Sequence, residues 1–351
     1  MDSLVIDIAR STPILEVDRS AAVIVLKRSM ASGFAGIDKP LFYDPKTSLL
    51  FGDAKASVAE ITAEVQALQT TRTEVARLSH HGGFMTERLA IAGAGAIGTG
   101  LAAALAAAAY DDMLLWARSE ASRTQAAVRV EQILEKLPDL GDAGRVRYVA
   151  DLESLAAATF VIEAIAEDHQ SKVALLARLG ALTGPQTVLA TTTSSLPIAD
   201  LARRSGRGES FVGFHVFNPV ARMQLVELVF GPQTSREVRD RARGLCVALG
   251  KTAVEVPDVP GFVVNRLLFP YLFSAVELVA NARMEPADVD LCMTLGTGMP
   301  MGPLALLDFV GLDVAEAIGR MMGSSVPALL EDLVQAGRLG RKTRQGFYAY
   351  D

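Results

Sequence analysis

The chain has little of what secreted, metal-rich or nucleic-acid-binding proteins are built from. Its 351 residues include two cysteines, four histidines and one tryptophan. Cys246 and Cys292 are too few for a disulfide framework or a metal site. Each falls in an apolar stretch with helical spacing, so both are expected to be buried thiols in a protein of a reducing compartment. With 34 Lys and Arg against 40 Asp and Glu, the net charge is −6, which gives no basic footprint for nucleic acid. The start Met1-Asp2-Ser3 lacks the basic, apolar and small-residue succession of an export signal, so a cytoplasmic location is expected. The uncharged run from Leu89 to Tyr110 is long enough to imitate a membrane span. It is mostly Ala and Gly, however, and reads as a buried strand, turn and helix, with no membrane partner implied.

What is present is the balance of a globular protein, 50% hydrophobic and 21% charged, in a chain long enough for two or three cores. No repeat of 20 to 50 residues is visible. From Arg88 onward, short apolar runs alternate with helix-like segments: Leu89 to Ala92, Met113 to Trp116, Phe160 to Glu163, Thr187 to Ala190 and Phe211 to His215. That rhythm predicts an α/β domain, residues 85–257, with a parallel, doubly wound sheet covered by helices. Beyond Pro257 the pattern turns helical, with Pro and Gly at the joints, predicting an all-helical domain over residues 258–351. Residues 69–84 read as a polar linker, and residues 1–68 as a small, partial α/β segment.

Gly93-Ala94-Gly95-Ala96-Ile97-Gly98 follows the first of these strands and opens an Ala-rich helix. In that setting Gly93 permits a tight turn, Gly95 lets the backbone approach a pyrophosphate, and Gly98 lets helix and strand pack closely, while the helix N-terminus offers free N–H groups. The loop therefore predicts a Rossmann-type dinucleotide site, with Ala96 and Ile97 as further contacts. The second strand ends Trp116-Ala117-Arg118. An acidic residue is usual there for NAD, whereas an arginine suits the 2′-phosphate of NADP; NADP is favoured over NAD, a merely solvated Arg118 being the alternative.

Hydride chemistry needs a group that exchanges a proton with the substrate oxygen. Of the four histidines, His80 and His81 lie in the linker and His169 opens a helix, leaving His215 at a strand end in Gly213-Phe214-His215-Val216-Phe217-Asn218-Pro219. Glu227 lies in a segment placed to return as a neighbouring strand. A carboxylate beside an imidazole fixes its tautomer and favours its protonated form. By itself, a histidine near a glutamate is more often structural than catalytic.

The words around these residues say more. The Gly93 to Gly98 loop, Val161-Ile162-Glu163-Ala164, Thr193-Ser194-Ser195-Leu196, the His215 segment, Pro260-Gly261-Phe262-Val263-Val264-Asn265-Arg266, Met301-Gly302-Pro303 with Asp308, and Gly346-Phe347-Tyr348 occur in order. From Arg88 onward the chain resembles the L-3-hydroxyacyl-CoA dehydrogenase family. The resemblance implies reversible oxidation of a 3-hydroxyacyl thioester, with His215 as acid/base, Glu227 orienting it, and Ser194 and Asn265 touching substrate and nicotinamide. It also implies Glu167 and Lys172 as cofactor contacts, Lys342 as a more peripheral one, and a homodimer formed through apolar helices at Val263 to Ala282 and Leu304 to Met322. One departure concerns the family's charged helical hairpin that contacts CoA: here Ala121 to Arg147 is shorter, and Leu137-Pro138-Asp139-Leu140-Gly141 replaces its turn. Thioesters of acyl carrier protein, or a smaller hydroxy or sugar acid, remain alternative substrates. A non-catalytic NADP-binding sensor is the alternative of another class.

Residues 13 to 68 resemble something different. Pro13-Ile14-Leu15-Glu16-Val17, Lys27-Arg28-Ser29-Met30, Gly33-Phe34-Ala35-Gly36, Pro40-Leu41-Phe42 and Leu50-Phe51-Gly52-Asp53-Ala54-Lys55 are similar to the C-terminal part of the NADP-binding domain of NAD(P) transhydrogenase beta subunits. The resemblance implies a 2′-phosphate cluster at Lys27, Arg28 and Ser29, covered by the Gly33 to Gly36 loop. That domain's own Gly-rich loop, its early strands and all membrane helices are missing, which excludes proton-coupled transhydrogenation by this chain alone. A fusion remnant is favoured over an NADP-sensing appendage, because about 55 residues bury too little for an independent core.

Overall fold

The computed structural model of the chain describes residues 23–27, 47–51, 87–108, 110, 112–137 and 142–351. The chain divides into two compact units, Met1–His81 and Gly82–Asp351. In the first, β1 (Val23–Lys27) and β2 (Thr47–Phe51) pair in parallel, Val23 opposite Thr47 and Lys27 opposite Phe51. Lys27 ends β1; Arg28, Ser29, the Gly33 to Gly36 loop and the 69–84 linker lie outside the described residues.

The second unit is built on an eight-stranded sheet in the order β10-β9-β8-β7-β6-β3-β4-β5. Five strands are the apolar runs read from the sequence: β3 (Leu89–Ala92), β4 (Met113–Trp116), β6 (Phe160–Glu163), β7 (Val188–Thr191) and β8 (Phe211–Val216). Nearly every residue in them is buried, as a sheet covered on both faces requires. β9 (Leu225–Phe230) returns antiparallel to β8, and all other pairings are parallel. β5 (Val146–Val149) and β10 (Thr252–Glu255) were not anticipated from the sequence. They are the two edges, where one side meets solvent and no continuous apolar run is needed.

Helices α1 (Ala96–Ala107), α2 (Glu120–Leu134), α3 (His169–Leu182), α4 (Ile198–Arg204) and α5 (Arg236–Ala248) accompany these strands. Side chains that open them start them cleanly: Ser119, Asp168 and Ser235 accept from the backbone N–H groups of Ser122, Ser171 and Val238. The pleat sends alternate residues to two cores, Ile91 joining Leu101 and Phe214, and Ala90 joining Leu176 and Phe211. The chain leaves β3 toward β4 and β5, then returns to β6 on β3's other side. The strand order therefore reverses between β3 and β6, and a crevice opens beyond their C-terminal ends.

The remainder is helical: α6 (Val264–Ala282), α7 (Pro286–Thr297), α8 (Pro303–Val310), α9 (Leu312–Met321) and α10 (Ala328–Gln335), packed around Phe269, Leu272, Val276, Leu304 and Leu330. The single helix expected from Leu304 to Met322 is two, because Gly311 at φ 102° breaks it. The buried Asp308 carboxylate accepts from the N–H groups of Phe347 and Tyr348 at 3.0 and 2.9 Å, clasping the last turn; a Cβ on Gly346 would overlap that carboxylate. Of the two thiols expected to be buried, one is and one is not. Cys246 is buried, and burial pushes its pKa up to about 12, whereas Cys292 is exposed on α7 beside the exposed Leu291 and Leu295. Among the described residues no helix is long and apolar enough to cross a membrane; the Leu89 to Tyr110 run contains β3, the glycine loop and α1.

Candidate active site

The crevice at the strand-order reversal holds a cavity of about 1030 Å³. Its floor is the glycine loop. Gly93 has φ 139°, and a Cβ there would collide with the Ala164 backbone; a Cβ on Gly98 would collide with the Gly93 carbonyl. These two glycines satisfy the chain's own packing. Gly95 differs, since nothing lies nearer its would-be Cβ than the Ala164 oxygen at 4.0 Å. The space it leaves faces the cavity, where a pyrophosphate would approach the amides that open α1. By that test the loop fits a dinucleotide.

Gly95, Ala96 and Ile97 line the cavity with Gly93, and Arg118 lines it at the end of β4 with its side chain exposed; Gly98 lies beneath. No carboxylate stands at Ala117, whose backbone oxygen accepts from Arg123 at 3.1 Å. Ser119 and Ser122, joined Oγ to Oγ at 2.8 Å, continue the same wall.

On the other side of the crevice, β6 and β7 supply a polar network that the sequence only partly revealed. Glu163 ends the otherwise apolar β6 and is completely buried. It accepts from Lys172 at 2.8 and 3.0 Å, from Thr191 Oγ1 at 2.6 Å and from the Ile165 amide at 2.8 Å. Lys172 lines the cavity, but its ammonium is held by Glu163 and lies 3.4 Å from Glu167. Buried charges persist only when paired in this way. Glu167 accepts from Thr193 Oγ1 at 2.5 Å, from Ser194 N and Oγ at 2.8 and 3.2 Å, and from Ser195 Oγ at 3.1 Å. Burial works to raise its pKa, but the Lys172 charge and these hydrogen bonds outweigh it and hold the carboxyl below the usual range. Sequence reasoning did not single out Glu163 as a site residue; an acid closing an apolar strand, with a lysine nine residues on, is the signal that could have found it.

His215 lines the cavity from β8, and Glu227 sits directly opposite on β9, the two being register partners of the antiparallel pair. His215 Nδ1 lies 2.6 Å from Glu227 Oε2, with both residues buried. A carboxylate only accepts, so Nδ1 carries the hydrogen, and in the neutral imidazole the lone pair is left on Nε2. The other oxygen, Oε1, accepts from the N–H groups of Val263 and Val264 at 3.0 Å each. Burial alone would raise the Glu227 pKa; the His215 bond and the two amides reverse that and lower it, so the group is a carboxylate at neutral pH. Phe217 and Phe262 pack on the imidazole, their ring centres 4.6 and 5.3 Å away.

Asn265 is buried in the first turn of α6, next to the amides held by Glu227, and does not line the cavity. Lys342 does not line it either; its ammonium pairs with Asp313 on α9. Among the described residues, the segment from Ala121 to Arg147 that departs from the CoA-contacting hairpin holds α2, a short 3-10 turn at Ala143–Arg145 and the start of β5, and residues 138–141 lie outside the described residues.

A strand-order reversal with a glycine loop on one side and a His–Glu pair on the other defines a dinucleotide-dependent oxidoreductase of the Rossmann class. Residues 88–259 match the NAD binding domain of 3-hydroxyacyl-CoA dehydrogenase and residues 261–350 its C-terminal domain. The chain belongs to the 3-hydroxyacyl-CoA dehydrogenase family. It is 40% identical over 278 residues to a probable 3-hydroxybutyryl-CoA dehydrogenase of Deinococcus radiodurans, covering 75% of this chain and 100% of that protein. It is 39% identical over 229 residues to the mitochondrial hydroxyacyl-coenzyme A dehydrogenase of Rattus norvegicus, covering 63% and 70%. The crystal structure of (S)-3-hydroxybutyryl-CoA dehydrogenase from Ralstonia eutropha superposes with a TM-score of 0.71 at 35% identity, over 76% of this chain and 100% of that one. Residues 8–64 match the NAD(P) transhydrogenase beta subunit.

Proposed function

We propose that this chain catalyses the reversible oxidation of an L-3-hydroxyacyl-CoA to the 3-ketoacyl-CoA, a step of fatty acid metabolism. The observation that carries the reading is the His215–Glu227 pair at 2.6 Å on the wall of the dinucleotide cavity. Bound NAD(P) supplies the hydride acceptor. His215 Nε2 takes the hydroxyl proton, and Glu227 holds the tautomer and offsets the positive charge that results. Ser194 turns its hydroxyl from Glu167 to the substrate oxygen, and Asn265 completes the polar contacts from the helical domain, residues 258–351, where it adjoins the dinucleotide domain, residues 85–257. Lys172 acts on the cofactor side through Glu167, whose charge it steadies, and Lys342 acts from the periphery.

The cofactor reading is NADP rather than NAD, supported by Arg118 beside a residue, Ala117, that has no carboxylate to meet a ribose 2′-hydroxyl. Exposed Leu267, Leu291 and Leu295 on α6 and α7 support a homodimer closed by a second copy. The absence of a long membrane-spanning helix among the described residues is compatible with a cytoplasmic enzyme. The shortened segment from Ala121 to Arg147 supports, as a second reading of the substrate, a thioester of acyl carrier protein. The segment before residue 69 is read as a fusion remnant.

The test is purified protein with acetoacetyl-CoA and either NADH or NADPH, followed at the nicotinamide absorbance. Turnover that falls by orders of magnitude in His215→Ala, with cofactor affinity kept, is the expected result. Near-normal turnover in that variant would remove His215 from the chemistry, and no turnover in the parent with CoA or carrier-protein thioesters would sink the dehydrogenase reading.

A further inference from the structure

The connection between β8 and β9, residues 217–224, starts beside the imidazole and ends before Glu227. Its geometry therefore sets how the proton-transfer pair meets the rest of the site. Three things pin it. Phe217, its first residue, packs on His215 with ring centres 4.6 Å apart. Val220 is buried against α1, where Gly100 leaves it room; a Cβ on Gly100 would lie 2.9 Å from the Val220 Cβ. The third is a cation. Lys251, buried just before β10, donates from Nζ to the carbonyls of Val220 at 2.6 Å and Met223 at 2.7 Å. The next amide, Thr252 N–H, donates to the Gln224 carbonyl at 2.7 Å.

A surface lysine or a neutral donor is the cheaper way to close such a turn. A buried ammonium is costly unless it makes short, well-aligned bonds, and among the described residues no carboxylate pairs with Lys251. The groups facing it are the two carbonyls and, from α5, the Cys246 thiol, which is neutral near pH 7 because burial pushes it up to about 12. We propose that Lys251 is a positioning residue for the proton-transfer pair: by fixing the Val220 and Met223 carbonyls it holds Phe217 on the His215 imidazole and keeps the β8–β9 connection seated against α1. It touches neither substrate nor cofactor. Burial lowers the Lys251 pKa, so the clamp loses charge assistance as pH rises, whereas a guanidinium in its place would stay charged.

This rests on the dehydrogenase reading above, and its test includes a readout that needs no turnover. Lys251→Met and Lys251→Arg are made in the full chain. Each is assayed for kcat with acetoacetyl-CoA, for NADPH Kd, for kcat against pH, and by NMR of ¹³C-labelled histidine. In Lys251→Met, kcat is expected to fall about tenfold or more, because small misplacements of reacting groups cost that much. NADPH Kd should stay within about twofold, since the glycine loop is not touched. The His215 signal should move or broaden while those of His80, His81 and His169 stay. Lys251→Arg should recover the His215 signal and most of kcat, and carry the alkaline fall of kcat to higher pH. A Lys251→Met protein with the parent's His215 signal, or one whose lost activity only follows its folded fraction, overturns the proposal. If Lys251→Met does not fold, Lys251→Arg decides: an alkaline fall moved upward supports the clamp, and an unmoved one overturns it. A parent without turnover would count against the dehydrogenase reading and leave Lys251 to be judged on the His215 signal.

Discussion

Replacing Glu227 by glutamine tests the site through a single atom. The side chain keeps its shape, but its two ends are already assigned. Oε1 accepts from the Val263 and Val264 amides at 3.0 Å each, so a glutamine must place its carbonyl oxygen there. Its NH₂ then faces His215 Nδ1 at the position now 2.6 Å from Oε2. Two donors cannot share that contact, and the imidazole must move its hydrogen to Nε2, the nitrogen needed as base. The variant therefore combines a wrong tautomer with the loss of a charge that offsets the imidazolium. In the serine-protease triad a comparable exchange costs about 10⁴ in kcat, so a fall of roughly 10² to 10⁴ is expected here, about 3 to 5 kcal/mol in the barrier. Cofactor affinity should hold, because neither end of the side chain reaches the glycine loop. The assay is steady-state oxidation of L-3-hydroxybutyryl-CoA with NADP, the direction in which Nε2 is the base, with NADPH Kd measured separately. Turnover within tenfold of the parent, in a protein that melts normally, would refute the assignment of Glu227 as the tautomer-setting group.

Arg118→Ala should weaken NADPH more than NADH by about 1 to 3 kcal/mol, and Ala117→Asp should move preference toward NADH; equal effects of Arg118→Ala on the two Kd values would mark it as a solvated residue. Deletion of residues 1–84 should leave a folded enzyme with unchanged NADPH Kd at matched salt, because the family match begins at residue 88; a large, NADPH-selective loss would instead make the segment part of the cofactor site. Glu167 and Glu227 both have pKa values lowered from 4.5, so the stability they give is complete above that value and drains away as pH falls through the lowered values. Glu167→Gln should therefore flatten the acid decline of Tm below pH 4.5, and thermal melts with the same acid slope as the parent would contradict this.

The central strands were legible because a doubly covered sheet asks each for an unbroken apolar run, and Leu-Ala-Ile-Ala and Phe-Val-Ile-Glu have nothing else to say. β5 and β10 were hidden because Arg147 and Glu255 are at home on an edge strand. His215 and Glu227 were legible as a pair only as far as a returning segment was; their direct opposition is a matter of register, which periodicity alone does not fix. Lys172 was named as a cofactor contact only through the family resemblance, and its engagement with Glu163 needs β6 and α3 to be side by side. Lys251 gave no sequence signal at all, since its partners are backbone carbonyls, which every residue possesses.

The opposition of His215 and Glu227 across an antiparallel pair also limits how relatives of this chain can vary. The two residues are twelve positions apart, and that spacing is shared between two strands and the turn that joins them. A residue gained or lost inside the turn lengthens or shortens a loop and leaves the pairing intact. The same change between His215 and the turn, or between the turn and Glu227, sends one of the two side chains to the opposite layer of the sheet, among the apolar residues that pack there. Length changes in this part of an alignment should thus concentrate within 217–224, and a relative with one outside those bounds should have exchanged the His–Glu pair for some other chemistry.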